Sequence, residues 1–142
     1  MTMINDNFAL TGALTIAVND EVVQETHNLV VTAGKNWVAD RMNNVNTVMT
    51  HMAVGTGSTA AAAGDTALGT QLDRNTLSST TVTANAIEYA CTWAAGDGTG
   101  ALTEAGIFDA ASGGDMLART VFSVVNKGAS DSMTITWTIT VS

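Results

Sequence analysis

Val54 to Arg74, VGTGSTAAAAGDTALGTQLDR, is the stretch whose residue types and spacing come nearest to a chemistry. Glycines at 55 and 57 ahead of a run of small residues suit a loop that cradles a phosphate, because backbone N–H groups must approach the anion closely. A Walker loop also needs a lysine to neutralise the phosphates and a hydroxyl to hold magnesium, and here Gly64 is followed by Asp65. A dinucleotide fingerprint needs a third glycine opening a helix, and Ala60 stands at that position. The nearby charge is acidic, the wrong sign for an anion. Gly55 and Gly57 therefore read as structural residues, in a crossing between two parts of a fold.

The other reactive side chains offer no shared constellation. His27 and His51 have no second histidine or cysteine at metal-ligand spacing, and Gly57-Ser58 lacks the pattern of a nucleophile elbow. His51 reads as a partly buried, hydrogen-bonded residue beside a strand. Asp97 in GDGTG and Asp115 in GGDM read as turn formers; no twelve-residue calcium loop surrounds them. Cys91, the single cysteine, falls in an alternating apolar pattern and reads as core. Glu104 interrupts the apolar segment LTEAGIF. If it is buried it must pair, with Arg74 or Arg119 as the available partners; otherwise it faces solvent. Arg74 is expected to anchor the end of its segment to Glu104, to Asp73 or to a neighbouring subunit. Neither a catalytic group, a metal nor a cofactor is expected.

The elements that position these residues are mostly strands. In SMTITWTITVS, Met133, Ile135, Trp137, Ile139 and Val141 alternate with threonines, the period of a strand with one buried face. AIEYACTW puts Ile87, Tyr89, Cys91 and Trp93 on one face, and MLARTVFSVV is the near-continuous run of a strand covered on both faces. A short strand is expected over Leu102 to Phe108. Near the N-terminus Leu14, Ile16 and Val18 alternate, Asn19-Asp20 makes a turn, and Val22-Val23 begins the return strand. Helix is expected after Thr32 as N-cap, with Trp37, Val38, Arg41 and Met42 on one stripe. Two further helical turns are expected in TALGTQLDR, capped by Asp65 or Thr66, with Leu68 and Leu72 at i and i+4. The pattern predicts a mainly β, single-domain chain over 1–142, an antiparallel β-sandwich or jelly-roll-like fold with one or two short helices. The hairpin at about 8–31 is an extension or oligomerisation element in this reading.

Composition excludes several classes. The chain has 142 residues, 46% of them hydrophobic and 13% charged, unlike a disordered protein. Thirteen acidic residues against five basic ones give a net charge of -8. Lys35, Arg41, Arg74, Arg119 and Lys127 are scattered, so no nucleic-acid partner is expected. No apolar run approaches the roughly 18 residues of a membrane span, and the N-terminus lacks the pattern of a signal peptide, so synthesis and folding in the cytosol are expected. Proline is absent, which leaves turns and strand edges to Gly, Asn, Asp and Thr.

Taken together, MAVGTGSTAAAAGDTALGTQLDR, GALTEAGIFDA and GGDMLARTVFSVVNKGASDSMTITWTITVS resemble a family of tailed-bacteriophage structural proteins. The shared pattern is a G-T-G loop, a G-D-T-A-L segment with a following arginine, a T-E-A-G-(I/L)-F strand, and a block like MLARTVF before a threonine-alternating strand. It covers about residues 28 to 142. The resemblance implies a virion component made in the host bacterial cytoplasm: a cement or decoration protein on the head exterior, with the major capsid protein as partner, or a tail-fibre or baseplate-adaptor component bound to tail proteins. A small homo-oligomer, trimer or dimer, is expected. Asp65, Gly55 and Gly57 join Arg74, Glu104 and Arg119 as structural and assembly candidates. A carbohydrate-binding or carbohydrate-active class has only Trp37, Trp93 and Trp137 in its favour, and the last two fall in core registers.

Overall fold

In a computed structural model that describes residues 7–142, the chain is a sandwich of two five-stranded antiparallel sheets. Its elements are β1 (Leu10–Val18), β2 (Glu21–His27), β3 (Leu29–Val30), α1 (Thr32–Met42), β4 (His51–Gly55), β5 (Gln71–Thr76), β6 (Ser79–Thr83), β7 (Ala86–Trp93), β8 (Gly100–Phe108), β9 (Met116–Lys127) and β10 (Met133–Val141). The first sheet runs β2-β1-β10-β7-β6 and the second β3-β9-β8-β4-β5.

β10 lies in the centre of the first sheet, paired along its length with β1 on one side and β7 on the other. Its period-two pattern works as expected: Met133, Ile135, Trp137 and Ile139 are buried, and the threonines are half-exposed. Val141 departs from the stripe, at 38% exposed, because it sits where the strand leaves the core. Facing β10 across the sandwich are Met52 and Val54 of β4, Leu102, Ala105 and Ile107 of β8, and Phe122 and Val125 of β9. Asn19 and Asp20 both take positive φ (50° and 67°), the backbone of a tight hairpin turn whose twist matches its strands. The hairpin they close is built into the sheet, since β1 is hydrogen-bonded to both β2 and β10.

The second sheet buries part of its outer face as well. Ala53, Phe108 and Met116 form a separate apolar cluster there with Val31 and with Leu68 from the segment between β4 and β5. The helix forms where the sequence predicts it, but its cap differs. Val31 precedes the first turn, no side chain caps it, and the Thr32 N–H donates instead to the Ala63 carbonyl. Gly34 is buried against the Leu117 backbone, an approach that only a residue without Cβ permits. Trp37 and Val38 pack on the main core, whereas Met42 is exposed.

The second expected helix does not form. Residues 66–70 are irregular, and Gln71–Thr76 is the edge strand β5. Leu68 is buried under the outer cluster and Leu72 is exposed, so the two do not share a face. The Gly69 and Thr70 N–H groups, which a helix would use in its own ladder, are taken by the Glu104 carboxylate.

Candidate functional site

A bulge creates the site. The register of β8 against β9 shifts between Leu102 and Glu104. Leu102 points into the main core, and so do Ala105 and Ile107, two positions of opposite parity. At this shift residues 122–124 of β9 stand against Thr103 alone, and beyond it Glu104 lies out of the core on the outer face with Gly106 and Phe108. There residues 56–70 cover it so completely that it is 0% exposed.

Every oxygen of the Glu104 carboxylate is engaged. Oε1 accepts from the Gly69 N–H at 2.7 Å and from Arg119 Nε and Nη2 at 3.2 and 3.0 Å. Oε2 accepts from the Gly57 N–H and, at 2.7 Å, from the Thr70 N–H. Arg119, itself buried, spends its remaining donors on the loop: Nη1 bonds Asp65 at 2.8 Å and Nη2 bonds the Thr59 carbonyl at 3.0 Å. Asp65 accepts in turn from the Ala62 N–H, and Thr103 Oγ1 donates to the Gly57 carbonyl. One buried ion pair thus fixes both ends and the middle of the segment between β4 and β5. The backbone satisfies the carboxylate, and the carboxylate satisfies backbone that no strand pairs.

Glycines at 55 and 57 make the approach possible. A Cβ on Gly57 would lie 2.8 Å from Glu104 Cδ and 3.0 Å from Gly69 Cα; one on Gly55 would lie 2.8 Å from Glu104 Oε2 and 3.0 Å from the Thr70 carbonyl carbon. The carboxylate cradled by the G-T-G loop belongs to the protein itself.

Electrostatically the site favours charged acids. Burial pushes the Glu104 pKa up, but the N–H groups of Thr70 and Gly69, then Arg119 and Gly57, outweigh it and hold the group below its ordinary 4.5. The Ala62 N–H, reinforced by Arg119, holds Asp65 below its ordinary 3.8. A lowered folded-state pKa contributes stability that is complete above the unfolded value and is lost as pH falls through the folded one. Thermal stability is accordingly expected to fall once the pH drops below about 4, and Glu104→Gln is expected to flatten that acid limb. Melting curves across the acid range check this. The same acid slope in both proteins would exclude the clamp as its source.

The remaining candidates go elsewhere. Arg74 does not reach Glu104. Its Nε and Nη2 bond Gln71 Oε1 at 3.1 and 2.8 Å, its Nη1 bonds the carbonyls of Ala110 and Gly113 at 3.0 and 2.9 Å, and its guanidinium lies 3.7 Å above the Phe108 ring. Asp73 Oδ1 accepts from the Arg74 backbone N–H. Arg74 is thus an anchor of β5 onto the β8–β9 turn, by contacts the sequence did not suggest. His51 is half-buried at the start of β4, with Nδ1 at 2.7 Å from Thr50 Oγ1. His27 is exposed at the end of β2. Cys91 is buried, and burial pushes its thiol up to about 12. Asp97 lies in the exposed β7–β8 turn; the Asp115 N–H donates to Asp109 Oδ1 and its carboxylate accepts from Asn46. Among the described residues no three His, Cys, Asp or Glu side chains gather as a metal site would need. None of the helices described is long and apolar enough to cross a membrane.

An open groove of about 440 Å³ lies between the start of β1 and α1, lined by Phe8, Leu10, Val38 and Met42, with Lys35 the one charged side chain among the described residues. Comparison of the chain with protein-family models, with curated sequences and with solved structures gives no match in any of the three.

Proposed function

We propose that this protein is a structural component of a tailed-bacteriophage virion, a cement or decoration protein that binds and stabilises the head exterior as a small homo-oligomer. The observation that carries the reading is the meeting of the family-like segments in one unit. The G-T-G loop, the G-D-T-A-L segment, the T-E-A-G-I-F strand and the L-A-R-T block supply Gly57, Asp65, Glu104 and Arg119, which are bonded to one another. Residues that resemble the family in four separate stretches act together to hold one surface loop rigid.

That loop suits binding rather than catalysis. Between its fixed ends, Ser58 to Gly64 present small side chains, most of them exposed, over which a partner surface can approach closely. A rigid loop loses little conformational entropy on association. Weak attachment by each copy is enough, because an oligomer touching several capsid subunits gains through effective concentration, by factors of roughly 10²–10⁴.

The test uses particles assembled without this protein. They are expected to release DNA at lower temperature or ionic strength than complete particles, and purified protein added back is expected to restore resistance. Particles that lack it, keep full heat resistance and fail only in adsorption would overturn the head assignment in favour of a tail-fibre or baseplate role.

A further inference from the structure

The two sheets have four edges, and three are blunted. β2 carries Glu21 and Glu25, and its Gln24 amide bonds both the N–H and the carbonyl of Ser123 on β9, hooking that edge to the opposite sheet. β5 carries Asp73 and Arg74, and β3 is two residues long. Charges, short length and covering contacts are the usual devices that keep a sheet edge from pairing with another chain. Among the described residues β6, Ser79-Thr80-Thr81-Val82-Thr83, has none of them. It carries no charge and no bulge, and all five residues are exposed.

β6 also overhangs the sandwich. Val82 is paired with Ile87 and Thr80 with Tyr89, so both share the face that turns toward the second sheet. The last strand of that sheet, β5, reaches only as far as β7, where Asn75 Nδ2 bonds the Thr92 carbonyl and the Asn75 carbonyl accepts from Cys91. Val82 consequently stays 69% exposed on what would otherwise be an inner face.

We propose that β6 is the self-association edge of the protein, two copies joining antiparallel about a two-fold axis at Thr81 so that their first sheets become continuous. This deepens the oligomer part of the proposed function and rests on it. In that register Thr81 faces its own copy, Thr80 faces Val82, and Ser79 faces Thr83. These are neutral, mostly β-branched pairs of the kind that stabilise neighbouring strands. A second copy is the occupant that the charges select. A protein of net charge -8 repels itself over most of its surface, and β6 is an edge that brings no charge to the contact. The nearest acid on the neighbouring strand, Glu88, lies opposite Thr81 on β7. Two copies of Glu88 would stand three strand spacings apart, about 14 Å, beyond the screening length of about 8 Å at physiological salt. A five-residue edge buries less than the roughly 1,200 Å² at the lower end of standard interfaces, so the dimer is weak and concentration-dependent.

Sedimentation velocity of the full chain over a wide concentration range tests this. The unaltered protein is expected to pass from monomer to dimer. Thr81→Glu sets two like charges on the axis, each beside Glu88 of its own copy, and is expected to raise the dimer Kd at least tenfold. Leu72→Glu, on the exposed β5 edge, is expected to leave the Kd unchanged. Under mild oxidation Thr81→Cys is expected to give a disulfide-linked dimer across the axis. Thr83→Cys is not, because its two copies would lie about 14 Å apart. A protein that stays monomeric throughout would overturn both this interface and the oligomer reading. An oligomer that survives Thr81→Glu would overturn the interface alone.

Discussion

Glu104→Ala is expected to lower the melting temperature by about 10–15 °C, which corresponds to the roughly 3–5 kcal/mol lost when one partner of a buried ion pair is removed. The cost comes mainly from what is left behind. Arg119 keeps Asp65 and the Thr59 carbonyl but loses its bonds from Nε and its second bond from Nη2. The N–H groups of Gly57, Gly69 and Thr70 lose their acceptor together. Each buried donor without a partner costs about 1–3 kcal/mol unless water reaches it. Water can reach these only if the loop opens, so part of the penalty should appear as local unfolding of residues 56–70. An elastase-type protease, whose small specificity pocket suits alanine, is therefore expected to cut the Ala60–Ala63 run in the variant and spare it in the unaltered protein. Arg119→Ala should give a similar loss, and the double variant should lose far less than the sum. A fall of less than about 3 °C for Glu104→Ala would mean that the clamp does not hold the loop.

Where the chain is regular, its structure is legible in the sequence. β10, β7 and the β1–β2 hairpin follow from period-two alternation and one Asn-Asp turn, because a strand buried on one face declares itself in every second residue. The segment 56–70 has no such period. Its backbone is satisfied by a carboxylate 47 positions away from Gly57, and local pattern holds no trace of so remote an acceptor. Leu68 and Leu72, spaced like a helix stripe, instead fall on either side of the point where the loop becomes a strand.

The choice between Arg74 and Arg119 was open in the sequence because it depends on sheet order. Arg74 pairs with Ala53, Ala53 with Gly106, and Gly106 with Arg119, so both arginines lie in one row across the second sheet. Glu104 occupies the row two residues away, on β8. Arg119 is on the adjacent strand and Arg74 is two strands off, about 5 Å against about 10 Å. One strand spacing decides which arginine is buried with the acid and which lies over Phe108.

The glycines of the loop supply the sharpest contrast. Gly57→Ala is expected to destabilise by about 3 kcal/mol or more, combining a lost hydrogen bond to a charged group, about 1.5–3 kcal/mol, with overpacking of about 1–3 kcal/mol. Gly57 has no positive φ, so its backbone conformation is open to alanine and the cost lies in the contact. Relief by movement is restricted, since Glu104 Cδ and Gly69 Cα both crowd the new methyl group and Thr103 holds the Gly57 carbonyl from the other side. Gly64, seven residues on, has open space around its Cβ position and no positive φ either. Gly64→Ala should stabilise by about 0.4–1 kcal/mol, because it narrows the unfolded chain and meets nothing in the folded one. Chemical denaturation of the two variants reads both effects as midpoint shifts of opposite sign at an unchanged denaturant slope. A loop kept flexible for an external anion would accept alanine at 57 with little loss of stability, the cost appearing only when the anion binds. Opposite signs at 57 and 64 would show that the G-T-G sequence is built around Glu104.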